Sequence, residues 1–175
     1  MSVRIRQLGA YAYGASDTFY LDTNVILFLH HPPSFNSSKI KAAAYSNFVG
    51  RLKKAGCNLC VSSLNVQEAF HAIETIAYNK HKSLSGLRTT RKEYRRRYRC
   101  FVLNQVQSLW VQLKENYSIM ETSVTIDMLN SFIGGYEKHY YDPVDFLFTK
   151  NHLGCNVITD DGDFSADPII TMFTY

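Results

Sequence analysis

The sequence predicts an α/β fold, a single domain with a mainly parallel central sheet flanked by helices. Three observations lead there. Short apolar runs of strand length alternate with longer segments of helical period, the order expected of strand–helix–strand units. The helical segments carry boundary signals, glycines at their ends and in one case an Asp-Pro start. The chain has 175 residues, 46% hydrophobic and 19% charged, enough for one well-filled core and unlike a disordered segment. It shows no internal repeat, low-complexity tract or domain boundary, so residues 1–175 are expected to form one unit.

In order along the chain, FYLDTNVILFL (19–29) opens with a short apolar strand that stops at Asp22. HHPPSFNSS is a loop, and KIKAAAYSNFVGRLKKAG an amphipathic helix ending at Gly56. NLCVSS is a second strand. LNVQEAFHAIETIAYNKH follows as a helix with Val66, Ala69, Phe70, Ile73, Ile76 and Ala77 on its apolar side, and KSLSG interrupts it. A long helix is expected from about Leu87 to Asn116, with Tyr94, Tyr98, Phe101, Val102, Val106, Leu109, Trp110 and Leu113 on one face. YSIME is a short strand, and TSVTIDMLNSFIGGY a helix stopped by Gly134 and Gly135. YDPVDFLFTKNHLG is a helix with Asp142 at its N-cap, Pro143 at its first position and Gly154 at its end. CNVIT and PIITMFTY are the last strands.

Several function classes are excluded at this level. MSVRIRQLGAYAYG has no unbroken apolar stretch, so no signal peptide is expected. No segment approaches the roughly 20 apolar residues of a membrane span. A cytoplasmic protein is the expectation. Cys57 and Cys60 have the spacing of half a zinc site, but no second pair exists. Cys60 also falls in a strand, where residues three apart face opposite ways, so buried reduced thiols are expected. Glu68 and His71 form a Glu-x-x-His pair, but di-iron bundles need two copies. His30 and His31, ahead of two prolines, read as loop residues.

The acidic residues carry the functional signal. VITDDGDF (157–164) places Asp160, Asp161 and Asp163 within four positions after a strand. An acidic turn accounts for them individually; a divalent cation would turn their repulsion into ligation. Ligand sites of parallel sheets lie at the edge where the strands end. Asp22 ends the first strand, and Glu68 lies near the start of the helix after the second. Asp145 is in the first turn of the helix that begins at Asp142. Asp161 and Asp163 follow CNVIT. Each has a structural explanation alone: a cap, a helix-dipole partner, a solvated residue. Together, four segments bring carboxylates to one edge.

The set LDTNVIL, SSLNVQEAFH, DPVDFLFTKNHLG and VITDDGDF resembles the PIN-domain ribonucleases, and in particular their VapC-toxin-like members. The resemblance covers roughly residues 18–175. It implies that Asp22, Glu68, Asp145 and Asp161 are the catalytic and metal-holding quartet, with Asp163 as a variable fifth acid. Thr23, Asn24 and Thr159 match the polar support that orients carboxylates. Asp142 stands as a rival for Asp145, and Asp160 for Asp161. Many PIN proteins of this size are toxins of toxin–antitoxin pairs, which implies RNA as substrate, an antitoxin protein as partner and a homodimer.

Carboxylates without a His or Cys cluster suit Mg²⁺ or Mn²⁺. Two such ions about 4 Å apart activate a water and stabilise the leaving oxygen of a phosphodiester. A metal-dependent endoribonuclease is therefore the leading expectation. Its alternatives are a catalytically degenerate PIN-fold binding module and a Toprim-like or phosphatase-type phosphotransfer enzyme. RTTRKEYRRRYR (88–99) holds seven basic residues and one acid. Arg88, Lys92, Arg95 and Arg99 recur at helical spacing and form a stripe for RNA phosphates or for an acidic partner, against the plainer reading of a solvated helix face.

Overall fold

The structure, a computed structural model, describes residues 4–8, 12–31, 36–86, 89–135, 156–161 and 171–175. Its strands are β1 (Arg4–Gln7), β2 (Thr18–Leu21), β3 (Asn58–Ser62), β4 (Ser118–Met120), β5 (Asn156–Ile158) and β6 (Thr171–Thr174). They form one sheet in the order β1-β6-β5-β2-β3-β4, and every neighbouring pair runs parallel. The α/β fold with a parallel central sheet is thus as the sequence predicts. β2 holds a central place, with Tyr20 in register with Cys60 of β3 and Val157 of β5.

The helices are α1 (Thr23–His30), α2 (Asn36–Lys54), α3 (Ser63–Ser85), α4 (Arg91–Asn116) and α5 (Ile126–Gly135). Alternation along the strands sorts side chains to the two faces. Phe19, Leu21, Val61, Ile158 and Phe173 join the larger core with Tyr45, Phe48 and Leu52 of α2, Val66, Ala69 and Ile73 of α3, and Leu109 and Leu113 of α4. Tyr20, Cys60, Val157 and Met172 form a second, smaller cluster. No described helix is long and apolar enough to cross a membrane.

Four local expectations need correction. Residues 23–29, to which the apolar pattern assigned no element, belong to α1, because Asp22 caps a helix as soon as the strand ends. His30 is accordingly the last residue of that helix rather than a loop residue. KSLSG does not interrupt α3, whose lysines and serines are tolerated at exposed positions. The helix ends at Gly86, whose φ of 63° is the left-handed conformation that closes helices. The long helix starts at Arg91 rather than Leu87, because Thr90 and Glu93 form a reciprocal capping box. It is also bent at Tyr98, where φ and ψ are −113° and 19°. The strand β1 was not expected at all. The helix expected at 142–154, with Asp142 and Asp145, lies outside the described residues, as do Arg88 and Asp163.

Candidate active site

Because every strand is parallel, all carboxyl ends lie at one edge, and three distant segments meet there. Asp22 leaves β2 with only 4% of its surface exposed. Its Oδ1 accepts from the Thr23 backbone N–H at 2.5 Å, and its Oδ2 from the Thr159 hydroxyl at 2.7 Å. The Asn65 amide stands 3.4 Å from Oδ1 and donates to the Thr23 hydroxyl at 2.9 Å. That hydroxyl in turn donates to Oε2 of Glu68 at 2.5 Å. Thr159 also accepts from the Asp161 N–H at 2.8 Å. One chain of hydrogen bonds therefore links Glu68, Thr23, Asn65, Asp22, Thr159 and the backbone of Asp161.

Asp22, Glu68 and Asp161 line a single cavity of about 210 Å³ with Thr23, Asn24, Leu27 and Ala72. Among the described residues, no basic side chain lines it. Burial pushes the Asp22 carboxyl up to about 7, with Glu68 and Asp161 adding repulsion. The bonds from Thr159 and the Thr23 N–H oppose that rise. An all-oxygen, net acidic donor set of this kind suits Mg²⁺ or Mn²⁺, whose charge would stabilise the ionised carboxylates. Among the described residues, no three acidic, His or Cys side chains stand close enough to grip an ion as they are. The expected ligands Asp145 and Asp163 lie outside those residues.

Asp160 and Asp161 diverge. Asp160 turns toward α2, where Lys41 pairs with Oδ2 at 2.6 Å and the Tyr45 hydroxyl donates to Oδ1 at 3.2 Å. Its backbone N–H donates to the Asn24 side chain at 3.2 Å. Asp161, not its rival, therefore faces the cavity. Of the expected support residues, Thr23 and Thr159 touch acids directly, whereas Asn24 holds the backbone beside one.

Asn65 was missed in the sequence. It is fully buried, bonds Tyr20 and Ser62 as well as the site, and bridges Asp22 to Thr23. Its signal was available: it sits three positions after the cap residue Ser62 and three before Glu68. Elsewhere, Cys57 and Cys60 are buried thiols that donate to different carbonyls, those of Gly14 and Phe19. His71 is exposed and does not line the cavity. His30 bridges Gln112 and the Tyr117 hydroxyl at 2.7 and 2.9 Å, and burial lowers its pKa.

Lys92, Arg95 and Arg99 are exposed on α4. Arg95 is engaged with Glu74 of α3 at 2.6 Å, and Glu74 also takes Arg91 at 3.3 Å. The helix is bent at Tyr98, between Arg95 and Arg99.

The architecture has solved counterparts. The structure of VapBC2 from Rickettsia felis bound to a DNA fragment from their promoter superposes with a TM-score of 0.55 at 15% identity, over 89% of this chain and 96% of that one. The fold is that of a PIN domain. VapC20 from Mycobacterium tuberculosis, a sarcin–ricin loop cleaving toxin, matches at 17% identity and a TM-score of 0.46, over 85% and 93% of the two chains. No family model matches the sequence, and no curated protein matches it. The acid cavity lies at the carboxyl edge of this sheet.

Proposed function

We propose that this PIN domain, spanning residues 1–175, is a Mg²⁺- or Mn²⁺-dependent endoribonuclease. The observation that carries the reading is that Asp22, Glu68 and Asp161, from three separate segments, line one cavity in which no basic side chain stands among the described residues. Asp22, Glu68 and Asp161 would hold the ions, joined by Asp145 and Asp163. When bound, the ions supply the positive charge that lets water attack a phosphodiester beside these acids.

The chain's own residues do the remaining work. Asp22 is held in one orientation by Thr159, Asn65 and the Thr23 N–H. Thr23 donates to Glu68, so both acids belong to one hydrogen-bonded frame. Asn24 holds the backbone that leads to Asp161. Arg88, Lys92, Arg95 and Arg99 would contact RNA phosphates, with Arg95 exchanging Glu74 for a phosphate oxygen. A Toprim-like phosphotransfer site would leave Asp22 without a role, although Asp22 is the most enclosed acid of the cavity. The toxin role and an antitoxin partner belong to the same proposal, supported by the likeness to the VapBC2 structure, and we extend it to a homodimer and a cytoplasmic setting.

The test is cleavage of a labelled single-stranded RNA by the wild type and Asp22→Asn, each in EDTA, Mg²⁺, Mn²⁺ or Ca²⁺. Cleavage by the wild type in Mg²⁺ or Mn²⁺ alone, leaving 5′-phosphate ends, is expected. Persistent cleavage in EDTA, or a fully active Asp22→Asn, would remove the metal-dependent mechanism.

A further inference from the structure

We propose that Lys41 and Tyr45 of α2 are positioning residues that clamp Asp160 and thereby aim its neighbour Asp161 into the acid cavity. The inference rests on the nuclease reading for its consequence but on geometry for its substance. Lys41 and Tyr45 are four residues apart and so share one face of α2. Between them they engage both carboxylate oxygens of Asp160. The Tyr45 hydroxyl shares its one proton between Asp160 and the Thr159 carbonyl, 3.0 Å away, and accepts from the Tyr175 N–H at 3.3 Å. Its ring is fully buried and stacks on Phe28 at 5.8 Å, so the hydroxyl is fixed in place. Burial pushes the phenol up to about 12, which keeps it a proton donor.

Asp160 is thus tied on three sides: Lys41, Tyr45, and Asn24 through its backbone. Asp161 is the next residue. Its backbone N–H donates to the Thr159 hydroxyl. With Asp160 held toward α2, its neighbour Asp161 faces Asp22 and Glu68; loss of Lys41 removes the ion pair that fixes this division. The like charge of Asp22 and Glu68 would then drive Asp161 out of the cavity. Lys41 also offsets the charge of Asp160, which would otherwise add a further acid beside the site.

The experiment compares the wild type, Lys41→Met, Lys41→Arg and Tyr45→Phe in two readouts that need no RNA cleavage. Crystal structures report where the Asp161 carboxylate lies, and calorimetry reports Mn²⁺ affinity. Lys41→Met is expected to move Asp161 out of the cavity and weaken Mn²⁺ binding roughly 10- to 100-fold, the usual cost of losing a group behind a ligand. Lys41→Arg restores both. The Lys41 side chain is 39% exposed, so its replacement leaves the core intact. Should it nevertheless unfold the protein, Tyr45→Phe, which deletes one hydroxyl, decides by the same two readouts. Asp161 in place with unchanged Mn²⁺ affinity in Lys41→Met overturns the clamp. Displacement of Asp161 in a protein whose wild type binds no Mn²⁺ upholds the clamp and overturns the nuclease reading.

Discussion

Asp22 should make the metal-free fold less stable as pH rises. An aspartate titrates near 3.8 in an unfolded chain, and burial beside Glu68 and Asp161 lifts Asp22 to about 7. Below about pH 3.8 the carboxyl is protonated in both states and its burial carries no charge penalty. Between 3.8 and 7 the unfolded chain has released the proton while the folded chain retains it, so folding is increasingly opposed. Above about 7 the loss is complete. At 1.36 kcal/mol per tenfold, it reaches about 4 kcal/mol. Asp22→Asn removes the titration and keeps one oxygen to accept from the Thr23 N–H. It disturbs the bond from Thr159, a loss of about 1 kcal/mol, so a net gain of about 3 kcal/mol at pH 8 is expected. At pH 4 the variant should have no such advantage. Urea unfolding of both proteins in EDTA from pH 4 to pH 8.5 measures this. If the stability difference between wild type and Asp22→Asn is the same across that range, Asp22 does not carry a raised pKa and the account of its burial is wrong. Saturating Mn²⁺ should recover stability in the wild type and far less in the variant.

Other outcomes can be checked with equal directness. Asn65→Ala removes the bridge between Asp22 and Thr23 and the acceptor of the buried Tyr20 hydroxyl; a loss of about 2–4 kcal/mol in urea unfolding is expected, together with weaker Mn²⁺ binding. Replacing Arg88, Lys92, Arg95 and Arg99 with Gln should flatten the log–log salt dependence of RNA binding by about 0.7–0.9 for each phosphate contact removed. An unchanged slope would assign those residues to solvent or to a protein partner. Among Cys57, Cys60 and Cys100, only exposed Cys100 should react quickly with a thiol reagent in the native protein, with the other two following on unfolding.

The legible parts of the molecule were those governed by local pattern. β2 and β3 announce themselves by continuous apolar runs, as strands buried on both faces do. α3 shows a helical period, and the edge at which Asp22, Glu68 and Asp161 gather follows from parallel topology alone. α1 was not legible, because TNVILFLH has an apolar content that fits a buried strand as well as a buried helix. What decides is the Asp22 cap, a single side-chain bond. β1 was missed because RIRQ is an edge strand of mixed polarity whose partner, β6, stands at the far end of the chain. The opposite aims of Asp160 and Asp161 depend on Lys41 and Tyr45, which are more than 100 positions away. No local pattern carries such information.

The placing of β5 between β2 and β6 has a consequence for synthesis. Thr159 and Asp22 are 137 positions apart, so a ribosome working at about 5–20 residues per second needs on the order of 10 s to make the second after the first. Throughout that interval the nascent chain holds Asp22 and, later, Glu68, but neither Thr159 nor Asp161. The two strands that complete the sheet are also the last to emerge, and their pairing with β2 and β1 closes the longest loops of the fold, a slow class of contact. Until β5 has emerged, the cavity beside β2 lacks both the hydroxyl that holds Asp22 and the carboxylate of Asp161.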